Sequence, residues 1–561
     1  MAQGRLVIIK TLVLLGFLSV TLKLFDLMIL EHKQLAVRAQ KQHRAAEPID
    51  ARRGAIYDRH YRELAVNRRV ESLYGVPREV TDARAVAASL SPFVGSEKTD
   101  MVVKRLTADR SKGFVWLARK LDDNSAESIR RLKLGQQIGL APESFRTYPK
   151  ETLAAHLLGS VNIDNAGVEG IELKYDEYLR GKGGSKVHAR DARGRALSDG
   201  GEYEQPGNSL VLTIDEDLQY IVERQLADAV EKWNPRAATA IVMDPYTGEI
   251  LAMGVNPTFS PEKSDKSENR RNFAISDVYE PGSVFKVVVA SAALDLGVYT
   301  QYDRFDCSRG SIEVGGRVIR DVHRNGVLTL AEVIKKSSNV GSIKMAMGVG
   351  KDRYFEYVKK FGFGQTTGID IPGEARGLFS TSASYASVSI GYGIAVTPLQ
   401  LLAAYSAIAN GGMLVKPYLV QEIVGPDGET VKSYQPTQVR RVIAENTSRT
   451  MAEILSGVTQ EGGTAKKAAV DGNSVAGKTG TARKLDMTTK RYSESKYMSS
   501  FVGFVPAGDP KLAIIVVVDE PRGAIYGGEV AAPVFKGISE HALVYLKVPR
   551  EDTKNVLLVS N

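Results

Sequence analysis

Ser283 and Lys286 open an apolar run, and this pair constrains the chain more than any other feature. In Tyr279-Glu-Pro-Gly-Ser-Val-Phe-Lys-Val-Val-Val-Ala290 the chain breaks at Pro281-Gly282 and then turns apolar. The pattern predicts a buried helix ending near Gly297. Ser283 falls in its first turn, where the helix dipole and free N–H groups favour negative charge. Lys286, three residues on, shares its face. A serine hydroxyl attacks only when a base takes its proton, and lysine serves if burial and a second cation lower its pKa. A helix-capping serine with an incidental lysine explains the pair equally well in isolation. Ser260-Pro-Glu-Lys263 and Ser493-Glu-Ser-Lys496 match the same spacing, but in polar surroundings.

Two later motifs share this chemistry. Ser337-Ser-Asn339 follows a capping-box signal, Thr329-x-x-Glu332, and interrupts a helical pattern that resumes from Val340 to Met347. It therefore belongs in a loop between two helices. A hydroxyl there can relay a proton to a departing amine, and the Asn339 amide can hold a peptide bond. A plain helix break reads the same way, and Ser160-Val-Asn162 and Ser267-Glu-Asn269 also match. Lys478-Thr-Gly-Thr481 begins in a strand-like segment. Thr479 and Thr481 share one face, and two hydroxyls with a lysine nearby can bind a carboxylate. Gly480 permits another backbone to approach. Strict alternation puts Lys478 on the other face, so its long side chain or an edge position must bring it to a shared site. A polar edge strand is the bland alternative.

Gly472 to Thr479 also satisfies the P-loop pattern. A P-loop needs a buried strand before it and a helix after it. Lys466 to Asp471 makes a poor buried strand, and Gly480-Thr481-Ala-Arg follows in strand-like context. Nucleotide binding is set aside on that ground. Taken in order, the three motifs converge on serine acyl transfer.

At 561 residues, 43% hydrophobic and 25% charged, the chain supports two or more domains with sizeable cores and is not of disordered composition. The net charge of +9 (74 basic, 65 acidic residues) reads as a solvated surface. The single Cys307 excludes an internal disulfide and a cysteine metal site, and the seven histidines form no H-x-x-x-H pair. Leu6 to Leu22 is apolar except for Lys10, and a second apolar patch runs Leu24 to Leu30 around Asp26. Seventeen residues stand at the short limit of a membrane span, and Lys10 can snorkel. No A-x-A cleavage site follows, so the segment reads as an uncleaved anchor. Arg5 and Lys10 on one side and Lys23, Lys33, Arg38 and Lys41 on the other leave its orientation open.

Between about Glu31 and Gln205 the chain is charged, with loops expected at Gly181-Lys-Gly-Gly184 and Asp199-Gly-Gly201. The character changes near Pro206. A strand (Leu210–Ile214) and a helix (Asp217–Trp233) follow, then strand candidates at Ala238–Met243, Glu249–Val255, Val475–Ala482, Met498–Val505 and Leu512–Asp519. Turns are expected at Asp244–Gly248 and Pro506–Pro510, and a closing helix over Val530–Leu546. Two early and three late strands with helical material between them predict a mostly antiparallel sheet flanked by helices.

On these motifs the chain resembles the class B penicillin-binding proteins, over nearly its whole length. Arg53-Gly-Ala-Ile-Tyr-Asp-Arg59 with Leu64-Ala65, Arg146-Thr-Tyr-Pro149, Ala154-Ala-His156 and Gly167-Val-Glu-Gly-Ile-Glu172 resemble the family's pedestal motifs, which simple β-lactamases lack. Asn272 to Gly282, Gly391-Tyr-Gly393 leading into Thr397-Pro-Leu-Gln400, Tyr526-Gly-Gly528 and Ala532-Pro-Val-Phe535 resemble the septal division type. His60-Tyr61 departs from the usual Asn-Gly, and Glu151 stands where a glycine is usual.

The resemblance implies a mixed α/β multidomain chain. Its expected parts are a cytoplasmic tail and transmembrane anchor helix (1–30), an α+β pedestal of dimerisation type (31–206), a transpeptidase domain (207–548) and a flexible tail (549–561). The transpeptidase domain would hold an antiparallel five-stranded sheet flanked by helices, plus a helical subdomain. Ser283 would attack a stem peptide at its penultimate D-alanine, with Lys286 as base. Ser337 would move the proton to the leaving D-alanine, and Asn339 would hold the donor peptide. Lys478 would supply positive field, and Thr479, Gly480 and Thr481 would bind the terminal carboxylate. N–H groups of Ser283 and Thr481 would form the oxyanion hole. No metal, cofactor or nucleic acid is implied. Implied partners are peptidoglycan stem peptides, β-lactams, a SEDS-type glycosyltransferase and other divisome membrane proteins. The location implied is the cytoplasmic membrane, single-pass, with the catalytic domain outside.

Overall fold

The N-terminal apolar segment is helical throughout. In the computed structural model, which describes residues 2–32, 44–49, 51–190, 196–202, 204–263, 268–486, 488–489 and 491–551, helix α1 spans Ala2–Phe25 and runs into a π-helical turn, Asp26–Leu30. The stretch Gly4–Leu30 is 27 residues long, enough to cross a bilayer core of about 30 Å. It exceeds the seventeen residues of the apolar pattern because Lys23 and Asp26 pair at 2.7 Å and the helix continues through them. Its large apolar side chains are exposed, apart from the half-buried Leu27.

The chain divides into two compact units that interleave in sequence. One comprises 1–53, 68–145 and 180–207. Within it, helices Ala83–Val94 and Thr99–Thr107 lie beside the strand Val115–Leu121, which pairs antiparallel with Glu71–Gly75. Leu73, Val86, Leu90, Val102, Leu106, Leu117 and Ile129 fill its core. Asp82 starts the first of these helices by accepting from the N–H groups of Arg84 and Ala85. Arg44–Ile49, Gly184–Arg190 and Ala196–Glu202 make a three-stranded antiparallel sheet. Asp199-Gly-Gly201, expected as a loop, is thus the middle of a strand, paired with Lys186–His188. Glycine weakens a strand but does not forbid one, and a paired neighbour satisfies its backbone.

The second unit comprises 54–67, 146–179 and 208–561. The chain crosses into it near the expected change of character at Pro206, but the motifs at 146–149, 154–156 and 167–172 also lie in it. The strand Ser209–Leu212 runs parallel to Ile56–Tyr57 and antiparallel to Val420–Val424. Helix α2 (Glu216–Trp233) follows, its cap Asp215 accepting from Asp217 and Leu218.

The main sheet has five antiparallel strands: β1 (Ala237–Met243), β2 (Ile250–Asn256), β3 (Ala476–Asp486), β4 (Arg491–Val505) and β5 (Leu512–Asp519), in spatial order β2-β1-β5-β4-β3. Every residue of β5 is buried, which is why it reads as an unbroken apolar run and not as an alternating one. At Asp244–Gly248 the Gly248 N–H donates to Asp244 O, with Gly248 at φ +82°. β3 and β4 extend past their apolar parts into a polar arm, which carries Ser493 and Lys496 away from the core. Between β2 and β3 come helices α3 (Lys286–Asp295), α4 (Leu330–Lys335), α5 (Asn339–Val349) and α6 (Pro398–Ala409); α7 (Ala532–Tyr545) closes the fold. α2 and α7 pack on each other and on the sheet, and α6 packs on β1, β4 and β5. The expected tail, 549–561, lies outside the described residues from 552 onward. Glu551 itself is tied down, its carboxylate accepting the Ser474 N–H at 2.6 Å.

Candidate active site

Pro281 and Gly282 set up the first element of the site. Gly282 adopts φ +59° and donates its N–H to Gly391 O at 3.1 Å. A β-carbon on Gly391 would meet Gly282 O at 2.0 Å, so this crossing requires glycine there. Gly282–Phe285 then form a 3₁₀ turn, and the α-helix proper starts at Lys286. The first turn is therefore tighter than an α-turn. Residues i and i+3 of a 3₁₀ turn eclipse, so Ser283 and Lys286 keep a common face. Ser283 is half-buried, whereas Lys286 is fully buried.

The three motifs meet around the hydroxyl of Ser337. Lys286 Nζ donates to Ser337 O at 2.5 Å and to Ser337 Oγ at 3.2 Å. Lys478 Nζ donates to the same Oγ at 2.9 Å and to Thr479 O at 3.2 Å. Ser337 holds φ +60°, a left-handed conformation that costs a non-glycine residue about 1–2 kcal/mol. That turn aims both its carbonyl and its hydroxyl at the lysines.

Two buried ammonium groups on one hydroxyl repel one another and lack water. Burial brings Lys286 down to about 7, against the opposing field of Asp321. Lys478 is pushed well below its ordinary value, by burial first and then by the charge of Lys286. Charging both is disfavoured, so one amine of the pair is available near neutral pH to accept a proton.

Asp321 holds the second motif in place, and sequence reasoning missed it. Its carboxylate accepts from Asn339 N (2.5 Å), Val340 N (2.9 Å) and Ser338 Oγ (2.7 Å) at the start of α5. Ser338 caps the helix by accepting from Gly341 N at 3.0 Å. The loop expected between two helices is there, although Asn339 already belongs to α5. Asn339 Nδ2 donates to Arg320 O at 2.9 Å. No spacing rule ties Asp321 to a serine 17 residues later, so only the fold reveals the contact.

Lys478-Thr-Gly-Thr481 lies in β3, an edge strand of the sheet, which disposes of the P-loop match. The edge position and the long side chain together bring Lys478 to Ser337. At Gly480 a β-carbon would lie 2.3 Å from Ser500 Oγ and 3.0 Å from Pro281 O. The backbone before Ser283 thus packs directly on the strand. Thr481 Oγ1 accepts from Gly527 N at 3.0 Å, and Thr479 Oγ1 lies 2.9 Å from Thr464 Oγ1. Gly527 belongs to a motif read in the sequence, whereas Thr464 carried no signal. Among the described residues no cluster of three or more His, Cys, Asp or Glu side chains is placed to hold a metal ion.

Comparison with known proteins agrees with this geometry. Residues 238–540 match the penicillin-binding protein transpeptidase domain, and residues 48–212 match the penicillin-binding protein dimerisation domain. The chain is 35% identical to stage V sporulation protein D of Bacillus subtilis, covering 98% of this chain and 87% of that protein. It is 34% identical to the peptidoglycan D,D-transpeptidase FtsI of Escherichia coli, covering 91% and 86%. It superposes on penicillin-binding protein 3 of Mycobacterium tuberculosis, solved in complex with aztreonam, with a TM-score of 0.70 at 29% identity, covering 90% and 98%. With the three motifs gathered on one hydroxyl and both family domains present, the chain belongs to the class B penicillin-binding proteins, the peptidoglycan D,D-transpeptidases.

Proposed function

We propose that the chain cross-links peptidoglycan stem peptides through an acyl-enzyme at Ser283, in septal wall synthesis. The observation that carries this is the Ser337 hydroxyl shared by two buried lysines. Lys286 in its neutral form takes the Ser283 proton, and Oγ attacks the carbonyl of the penultimate D-alanine. N–H groups of Ser283 and Thr481 receive the oxyanion; donors so aimed are typically worth about 3–4 kcal/mol each. The C–N bond breaks, and the amine of the terminal D-alanine leaves with a proton relayed through Ser337. Lys478 supplies the positive field while Lys286 is neutral and no longer opposes its charge, Asn339 holds the donor peptide, and Thr479 and Thr481 take its carboxylate. Gly480 lets the Pro281 turn close on that strand. An amine from a second stem peptide then attacks the ester, forming the cross-link and restoring Ser283.

β-Lactams would acylate the same serine. The septal assignment is supported by the likeness to FtsI and by the lead-in to Ser283. An elongation-type role uses the same chemistry, and the relatives include a sporulation protein beside FtsI. α1 serves as a single-pass anchor with residues 207–548 outside the cytoplasmic membrane, where the substrate lies. The anchor and the 31–206 region are the surfaces for a SEDS-type glycosyltransferase and other divisome proteins; replacing residues 1–50 should abolish co-purification with such a partner.

Intact mass of the full chain after incubation with benzylpenicillin, beside Ser283→Ala, tests the reading. A long-lived adduct of one penicillin, absent from the variant, is expected. An adduct that vanishes within seconds as penicilloate accumulates would make the protein a β-lactamase. No adduct and no hydrolysis would leave a non-catalytic scaffold.

A further inference from the structure

The two threonines of β3 differ in what stands behind them. Thr481 Oγ1 accepts the backbone N–H of Gly527. A hydroxyl has one proton and two lone pairs, so a donor behind Thr481 leaves its own proton to point forward. A carboxylate is acceptor-only, and that forward proton suits it. Among the described residues no backbone N–H donates to Thr479 Oγ1. Its Oγ1 has Lys478 Nζ at 3.5 Å, a long contact, and Thr464 Oγ1 at 2.9 Å.

The direction of the Thr464–Thr479 hydrogen bond then decides what the site presents. If Thr479 donated to Thr464, a lone pair of Thr479 would face the ligand carboxylate and repel it. If Thr464 donates, both β3 threonines offer protons to the carboxylate. The Tyr526-Gly-Gly528 turn holds both partners in place. Gly527 is the donor to Thr481, and a β-carbon on Gly528 would stand 2.3 Å from Thr464 O and 3.5 Å from Thr479 Cγ2. Thr464 is itself exposed, so its hydroxyl is not needed to fill the core.

We propose that Thr464 is a positioning residue for the transfer reaction. Its hydroxyl donates to Thr479 and turns the Thr479 proton towards the terminal carboxylate of the donor, making that carboxylate a requirement for efficient acylation. This rests on the reading of Thr479 and Thr481 as the carboxylate ligands.

The test compares benzylpenicillin with its methyl ester, which lacks the charged carboxylate, on the full chain in detergent. The readout is the rate constant for adduct formation at Ser283, divided into its binding and chemical parts. Thr464→Val should lower the rate with benzylpenicillin roughly three- to ten-fold, the range for one uncharged hydrogen bond. The loss should fall on binding and leave the methyl ester unaffected, and Thr464→Ser should restore the wild-type rate. An equal fall with both compounds, or no fall with either, overturns the role of Thr464 alone. Wild-type protein that takes both compounds equally well overturns the carboxylate role of Thr479, and this inference with it. Wild-type protein that forms no adduct at Ser283 overturns the acyl-transfer reading itself.

Discussion

Lys286 and Ser337 decide the chemistry at the scale of single residues. Burial holds Lys286 at about 7, and in the proposed reaction it must be neutral to accept the Ser283 proton. The acylation rate should therefore rise with pH and level off above about 7; a profile flat from pH 5.5 to 9 would remove Lys286 from the role of base. Lys286→Gln should lower the rate about 10²–10⁴-fold, the usual contribution of a general base. Other residues carry strain away from the site. Tyr61 and Glu151 stand at φ +61° and +55°, the two positions where the family usually has glycine. Tyr61 is compensated by a hydrogen bond to Glu422 at 3.0 Å. Glu151 is exposed, so Glu151→Gly releases a left-handed cost of about 1–2 kcal/mol against a glycine entropy of about 0.5–1 kcal/mol. Thermal unfolding should show a small gain in stability.

Helix α5 and strand β3 each place one side of the site, and each can be tested as an element. Asp321 stabilises the start of α5 and holds Lys286 up against the effect of burial. Asp321→Asn removes the charge and keeps the shape. The pH at which acylation is half-maximal should then move below that of the wild type, because the field that favoured the ammonium form is gone. An unchanged midpoint would show that Asp321 serves the helix alone. For β3, Gly480→Ala puts a methyl 2.3 Å from Ser500 Oγ and 3.0 Å from Pro281 O. The backbone contact cannot yield as a side chain can, so acylation should fall by more than ten-fold with little change in the rest of the sheet. Amide exchange of β3 and of 281–286 would localise the effect.

At the scale of the whole molecule, the second unit is stitched from three separate stretches of chain, and Arg146 is one of the stitches. Its Nε donates to Glu172 Oε1 at 2.6 Å and its Nη1 to Gly54 O at 2.7 Å, with both side chains almost wholly buried. Removing one partner of a buried ion pair typically costs about 3–5 kcal/mol, so Glu172→Gln should lower the unfolding midpoint clearly while the rate of acylation of the folded fraction is retained. The sequence alone determined the five strands and their split into two early and three late, because each buries an apolar run of the right length. It also carried the capping box before α4, the N-terminal apolar helix of membrane-spanning length and the three motifs, since each is a local pattern of period or spacing. Tertiary structure decided the rest. The strand order that makes β3 an edge, the left-handed turn of Ser337, the carboxylate of Asp321 under α5 and the hydroxyl of Thr464 behind Thr479 all join residues remote in sequence. So did the three strands that include Asp199-Gly-Gly201. Local propensity has no term for a neighbour supplied by a distant part of the chain, and the lowered proton affinity of Lys286 exists only once folding has buried it.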